Sequence, residues 1–162
     1  MTGPTILAAS TRYFLPGTTK VLIVPTIANL SAPTRLELNA GTDISEEIAA
    51  IAGFQITSET VATPDLGKRF VGQVTGRLTA SDSSITCWAD KAGVDIRSLV
   101  DLDQETNVVF MDGGDVEDHL MDVYKVTVAS IGKPRDIEGA GRVEVKTTIR
   151  DYAENIAIPA SA

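Results

Sequence analysis

The side chains able to do chemistry in this sequence are few, and their spacing draws none of them together. His119 is the single histidine of the chain. It lies in a polar stretch, where a lone imidazole reads as solvated rather than as a base or a metal ligand. No serine is framed as G-x-S-x-G, so no nucleophile stands on an elbow from which to recruit it. There is no phosphate loop, no dinucleotide fingerprint at a strand–helix junction and no zinc spacing. The densest group of carboxylates is Asp112-Gly-Gly-Asp115-Val-Glu117-Asp118. Carboxylates among glycines can wrap a hard cation such as calcium, but this spacing departs from the EF-hand loop. Two apolar runs flank it at hairpin distance, so it reads as a tight turn with a solvated acidic surface. Glu46 and Glu47 are adjacent, and neighbours on a strand point to opposite faces, so they would not cooperate as acid and base. Trp88 sits in an apolar strand pattern and reads as core. A sugar platform needs several exposed aromatics, and aromatics are only 5% of this chain. The chain reads as non-enzymatic, with no catalytic residue, no metal site and no cofactor.

Composition bounds what remains. At 162 residues, with 43% hydrophobic and 22% charged residues, the chain is expected to fold as a single domain with a substantial core. Its formal charge of −8 repels nucleic-acid backbones, which excludes gripping DNA but suits a surface that DNA slides past. One cysteine, Cys87, leaves no internal disulfide framework, as fits folding in a reducing cytoplasm. The opening MTGPTILAAS lacks a basic n-region, so no signal peptide is expected. No stretch approaches the roughly 18 apolar residues of a membrane span.

The elements that would position any site are mostly strands. Residues 20–24 (KVLIV) form a β-branched apolar run closed by Pro25. Ser31-Ala-Pro33 followed by TRLELNAG predicts a helical turn capped by Ser31 or Thr34. Residues 48–61 read as strand with a bulge or bend at Gly53. Residues 84–89 and 106–111 read as strands, and a long one spans 121–131. In 142–150 (RVEVKTTIR), Val143, Val145, Thr147 and Ile149 alternate with charged and polar residues, the mark of a half-buried antiparallel strand. The tail before Pro159 reads as a further short strand. Residues 91–101 read as the one good helix, with Asp90 or Asp95 as cap and Ile96, Leu99 and Val100 on one face. The fold class expected is mainly β (α+β): an antiparallel β-sandwich or open barrel with one flanking helix.

One segment resists assignment. Residues 62–83 are punctuated by Pro64, Gly67, Gly72 and Gly76, and read as a long irregular loop. Loops longer than about 15 residues are uncommon in compact domains and are usually functional. Lys68, Arg69 and Arg77 make this loop net positive in an acidic chain, which points to a protein–protein contact with Phe70 as apolar anchor. A second candidate contact is the N-terminal arm 1–19, around Tyr13 and Phe14.

In order along the chain, several segments resemble the major tail tube proteins of long-tailed, siphovirus-type phages of actinobacteria. They are TRYFLPGTTK (11–20), VPTIAN (24–29), APTRLELNAGTD (32–43), IAAIAGF (48–54), TPDLGKRF (63–70), DSSIT (82–86), VFMDGGD (109–115) and MDVYKVTVASIGK (121–133). Collinearity, rather than any single motif, carries the resemblance. It implies two antiparallel sheets with a helix at the side, shared with the ring proteins of the type VI system, and one tail tube domain over 1–162. It also implies hexameric rings stacked into a tube through which the genome passes, with the long loop ordered on stacking. Partners would be further copies of the chain, a tape measure protein, a tail terminator and a tail tip. DNA would pass without specific binding, no membrane would be involved, and the protein would be made in the host cytoplasm and end in the virion tail. Six copies would carry a total charge of roughly −48 (six times −8), and whatever part of it faced the lumen would repel DNA from the wall. The rival readings are a capsid decoration protein and a small β-sandwich binding module of a phage tail.

Overall fold

The computed structural model describes residues 3–161. Runs rich in Val, Ile and Thr pair into antiparallel strands: β1 (Lys20–Val24), β2 (Thr42–Asp43), β3 (Ile48–Ala52), β4 (Ile56–Thr63), β5 (Gly72–Ala80), β6 (Ser83–Trp88), β7 (Glu105–Met111), β8 (Leu120–Gly132) and β9 (Arg142–Ala157). Seven of them form one sheet in the order β2-β1-β7-β8-β9-β6-β3, while β4 and β5 make a separate two-stranded ribbon. The mainly-β fold with an open, curled sheet is as expected.

The sheet buries both faces at one end, and the sequence shows why. In β1, Val21 and Ile23 point into the main core, while Val24 joins a second cluster on the opposite face. β7 and β8 divide likewise, with Val108, Phe110, Tyr124, Val126 and Val128 in the main core and Val109, Met111, Met121 and Val123 in the second. A strand covered on both sides needs an unbroken apolar run, which is what KVLIV and VVFM supply. The cover is α1 (Arg35–Asn39), one short turn that sends Leu38 into the second core. Thr34 is its cap: the Thr34 hydroxyl accepts from the Glu37 N–H while the Glu37 carboxylate accepts from the Thr34 N–H. At the other end, β9 and β6 are one-sided, and Val143, Val145 and Thr147 are buried between exposed Arg142, Lys146 and Thr148.

The main core is closed by a bend between β3 and β4. Gly53 and Phe54 both take left-handed backbone conformations, at φ 81° and 57°. A side chain at Gly53 would fall on the Asp82 carbonyl and within 2.8 Å of Ser83 Cα, so only glycine fits. The bend drops the Phe54 ring against Phe110 (centroids 4.9 Å apart) and Tyr124 (5.5 Å). Its backbone is satisfied there: the Ser83 hydroxyl accepts from the Phe54 N–H at 3.0 Å, and the Tyr124 hydroxyl lies 2.9 Å from the Phe54 carbonyl. Burial and the adjacent Glu154 carboxylate push ionisation of Tyr124 above the ordinary phenol range.

Four expectations need correction. Residues 91–101 are not a helix but a series of turns, with a 3₁₀ turn only at Ile96–Ser98. The Asp90 carboxylate accepts from the Ala92 and Val94 N–H groups, and Asp95 accepts from those of Asp90 and Arg97, so the backbone donors are claimed locally. Ile96 and Val100 nonetheless reach the core, as their spacing implies. Residues 62–83 are not one irregular loop, since β5 and the end of β4 occupy half of them. The last strand does not stop at residue 150: β9 runs 16 residues, following β8 through register shifts. Finally, Glu46 and Glu47 lie on a 3₁₀ turn (Ser45–Glu47), not on a strand.

Two tests follow from this architecture. Gly53→Ala is expected to lower the unfolding free energy by more than about 2 kcal/mol in urea titration, through left-handed strain and the backbone clash. The second concerns acid. Hydrogen bonds from Arg97 hold the buried Asp95 carboxyl well below the usual carboxylate range. The folded state therefore binds this proton less readily than the unfolded chain. Its stabilisation is complete above the unfolded carboxyl's pKa of about 4 and is lost as pH falls below it. Asp95→Asn is expected to be less stable than the native chain near neutrality and to lose less stability on acidification to about pH 3.

Candidate assembly surfaces

The β4–β5 ribbon stands apart from the main sheet, and every residue of its two strands is exposed except Ile56 and Gly72, which are intermediate. Period-two alternation sorts its faces. The register shift between Ser58 and Thr60 interrupts the alternation: Gly72, Val74 and Gly76 share the face of Val61, while Leu78 and Ala80 stand opposite Ser58 and Ile56 on the other face. Val61, Val74 and Leu78 are 50%, 53% and 59% exposed. An isolated two-stranded ribbon is marginal in water, and this one carries bare apolar side chains, the Val61–Val74 pair on one face and Leu78 on the other. It extends roughly 26 Å from its base at Ile56, at about 3.3 Å per residue over β4.

Beside the base of the ribbon lies a cleft of about 840 Å³. Its apolar lining includes Val21, Ile48, Ile51, Phe54, Phe110 and Tyr124, and its polar lining includes Glu46, Asp112, Asp122 and Lys20. Lys20 is already paired with Asp43 at 3.2 Å. The Asp112 carboxyl titrates above its ordinary value because it is partly buried and faces the charge of Asp122. The cleft is thus an apolar depression with an uncompensated acidic rim.

The structure does not gather the six contact residues expected from sequence into one patch. Lys68, Arg69 and Phe70 sit together in the turn joining β4 to β5, with Phe70 80% exposed. Arg77 lies back along β5, at the register shift of the ribbon. Tyr13 and Phe14 belong to the extended N-terminal segment and are also exposed. The carboxylates of 112–118 do not converge: Asp115 makes a two-pronged pair with Arg35, at 2.6 Å for each prong, tying the β7–β8 turn to α1. Among the described residues, no three His, Cys, Asp or Glu side chains are grouped to hold a metal ion. The Nδ1 of His119 is 3.4 Å from the Gly113 carbonyl, where it steadies the turn. Cys87 is wholly buried, and burial pushes its thiol up to about 11, out of reach of thiolate chemistry. Trp88 is not core as expected. It is 38% exposed at the end of β6, with the Arg142 guanidinium 5.2 Å above its ring.

The ribbon went unread because Gly72 and Gly76 register as breaks and because a register shift within β5 interrupts its alternation. The cleft has no local signal, since its walls come from four separate stretches of chain.

Comparison with known proteins agrees with this geometry. Among curated proteins, none matches the chain in sequence. Solved structures of the same fold are found at low identity. A chain from the PVC sheath/tube terminator of an extracellular contractile injection system, in its extended state, superposes with a TM-score of 0.63 at 10% identity, covering 90% of this chain and 98% of that one. A chain of the PVC sheath–tube complex gives 0.60 at 11%, covering 93% and 100%. The SPP1 tail tube gives 0.58 at 14%, covering 90% and 81%. At these identities the likeness is one of fold. The sequence itself goes further, because residues 9–162 match the family model described as phage tail tube protein. With a curled sheet of the same fold and a match over nearly its whole length, the chain belongs to the phage tail tube protein family.

Proposed function

We propose that this structural subunit of the phage tail tube closes into rings of six, which stack into a hollow tube through which the genome passes without specific binding. The observation that carries this reading is the projecting β4–β5 ribbon, whose apolar side chains Val61, Val74 and Leu78 are exposed in the subunit. Neighbouring copies would cover them. The six exposed residues Lys68, Arg69, Phe70, Arg77, Tyr13 and Phe14 would lie in contacts between subunits, the first four on the ribbon and the last two on the N-terminal arm. The net charge of −8 per copy supports a lumen that repels DNA. Tape measure, tail terminator and tail tip proteins would be the further partners, in a long-tailed phage of actinobacteria assembled in the host cytoplasm. The role is mechanical, and no catalytic step is assigned.

The test is electron microscopy and sedimentation of the concentrated, purified chain. The native protein is expected to polymerise into rings and tubes, and a persistent monomer would overturn the reading. Val74→Asp with Leu78→Asp is expected to leave the melting temperature of the monomer nearly unchanged and to abolish tubes. Each removes about 1.5–3 kcal/mol of burial that exists only in the assembly. Phe70→Ala is expected to behave likewise. Lys68→Glu with Arg69→Glu is expected to weaken assembly at low salt and less so at high salt. A monomer unfolded by Phe70→Ala would place that ring in the fold rather than in a contact.

A further inference from the structure

We propose that the cleft over Phe110 and Tyr124 is the receptor for the β4–β5 turn of a second copy of this chain, with Phe70 and Leu66 entering the apolar floor and Lys68 and Arg69 meeting Glu46, Asp112 and Asp122 on the rim. This rests on the tube reading above and adds to it the identity of the acceptor surface.

Complementarity of shape and charge carries the inference. The turn joining β4 and β5 presents two almost fully exposed apolar side chains, Leu66 at 105% and Phe70 at 80%, beside two cations. The cleft presents the reverse, an apolar floor beneath three carboxylates. Its volume of about 840 Å³ is ample for a phenyl ring and an isobutyl group together. Lys68 and Arg69 make no salt bridge within the subunit among the described residues, and the cation on the cleft wall, Lys20, is committed to Asp43. Partial burial and the neighbouring charge of Asp122 raise the pKa of Asp112, so a cation brought to this rim would meet two close carboxylates.

The occupant must come from another copy. Gln55 lines the cleft and Ile56 begins β4, so the base of the ribbon is at the cleft while its turn lies a full ribbon length away, roughly 26 Å. A paired ladder cannot fold back over that distance to fill its own cleft. A turn on one subunit and a cleft on the next form a head-to-tail contact, which runs from copy to copy and closes into a ring or continues as a filament according to the rotation between copies.

Charge reversal with mixing tests this. Glu46→Lys with Asp112→Lys reverses the rim, and Lys68→Glu with Arg69→Glu reverses the turn. Each variant alone, at low salt and with a monomer melt like that of the native chain, is expected to need at least about tenfold more protein to form tubes. An equimolar mixture is expected to recover tubes, because each reversed turn meets a reversed rim and each native turn a native rim. As a second measure that reverses no charge and keeps Lys68 opposite Asp112 and Asp122, Glu46→Cys with Arg69→Cys puts two thiols across the contact, and mild oxidation of assembled tubes is expected to link adjacent copies. Native tubes together with a reversed-rim variant that assembles normally, or with a mixture no better than its parts, would overturn the docking and leave the tube reading intact. A native chain that never polymerises would overturn both. Loss of tubes on removing residues 1–14, with indifference to reversal of the turn, would give the cleft to the N-terminal arm and overturn the proposal.

Discussion

The fold depends on one interaction, the burial of Phe54 against Phe110 and Tyr124. The sheet is a curled ribbon of seven strands whose two ends, β2 and β3, never pair with each other. Curling brings β1, β7 and β8 to face β6 and β9, and something must seal the side left open. Phe54 does so from a left-handed bend, and it brings no unpaired backbone with it, because Ser83 and Tyr124 answer its N–H and C=O. Three rings at edge-on angles contribute dispersion and area at once. The same bend sets where β4 leaves the body, so sealing the core and launching the ribbon are one structural event.

That coupling explains how labour is divided between subunit and assembly. The body satisfies itself: α1 covers the second core through its reciprocal cap and through the Arg35–Asp115 pair, and the 90–98 turns are pinned by Asp90 and Asp95. The ribbon does not. It has only its own ladder, with Val61 and Val74 on one face and Leu78 on the other in contact with water. A subunit built this way keeps apolar area uncovered by its own chain.

Much of the body was legible in the sequence, for reasons that can be named. β1 and β7 were readable as continuous apolar runs, and the first half of β9 as strict alternation, because burial on two faces or on one leaves those distinct signatures. The helical turn at 34–39 was readable from its cap. The segment at 91–101 misled because its apolar spacing is helical while its aspartates take the backbone donors. Trp88 misled because strand neighbours say nothing about whether a strand end is covered. Of the proposed contacts, the basic turn was singled out by its charge against the chain's. The cleft joins residues near 20, 50, 110 and 122, and only the curl of the sheet makes them neighbours.

The order of strands also has a consequence in time. β1 lies between β2 and β7, so its principal partner is synthesised some eighty residues after it. β3 waits for β6, and β6 in turn borders β9. The consecutive meander β7-β8-β9 and the short β1–β2 pair can form as they emerge, whereas β1 waits for β7 and β3 for β6 to complete the sheet. Such long-range pairings belong to the high-contact-order regime where folding is slow. The cleft walls come from both the early and the late segments, so they meet only once β8 has joined the sheet. Under the proposed docking, a chain that stops short of β8 has no receptor to offer.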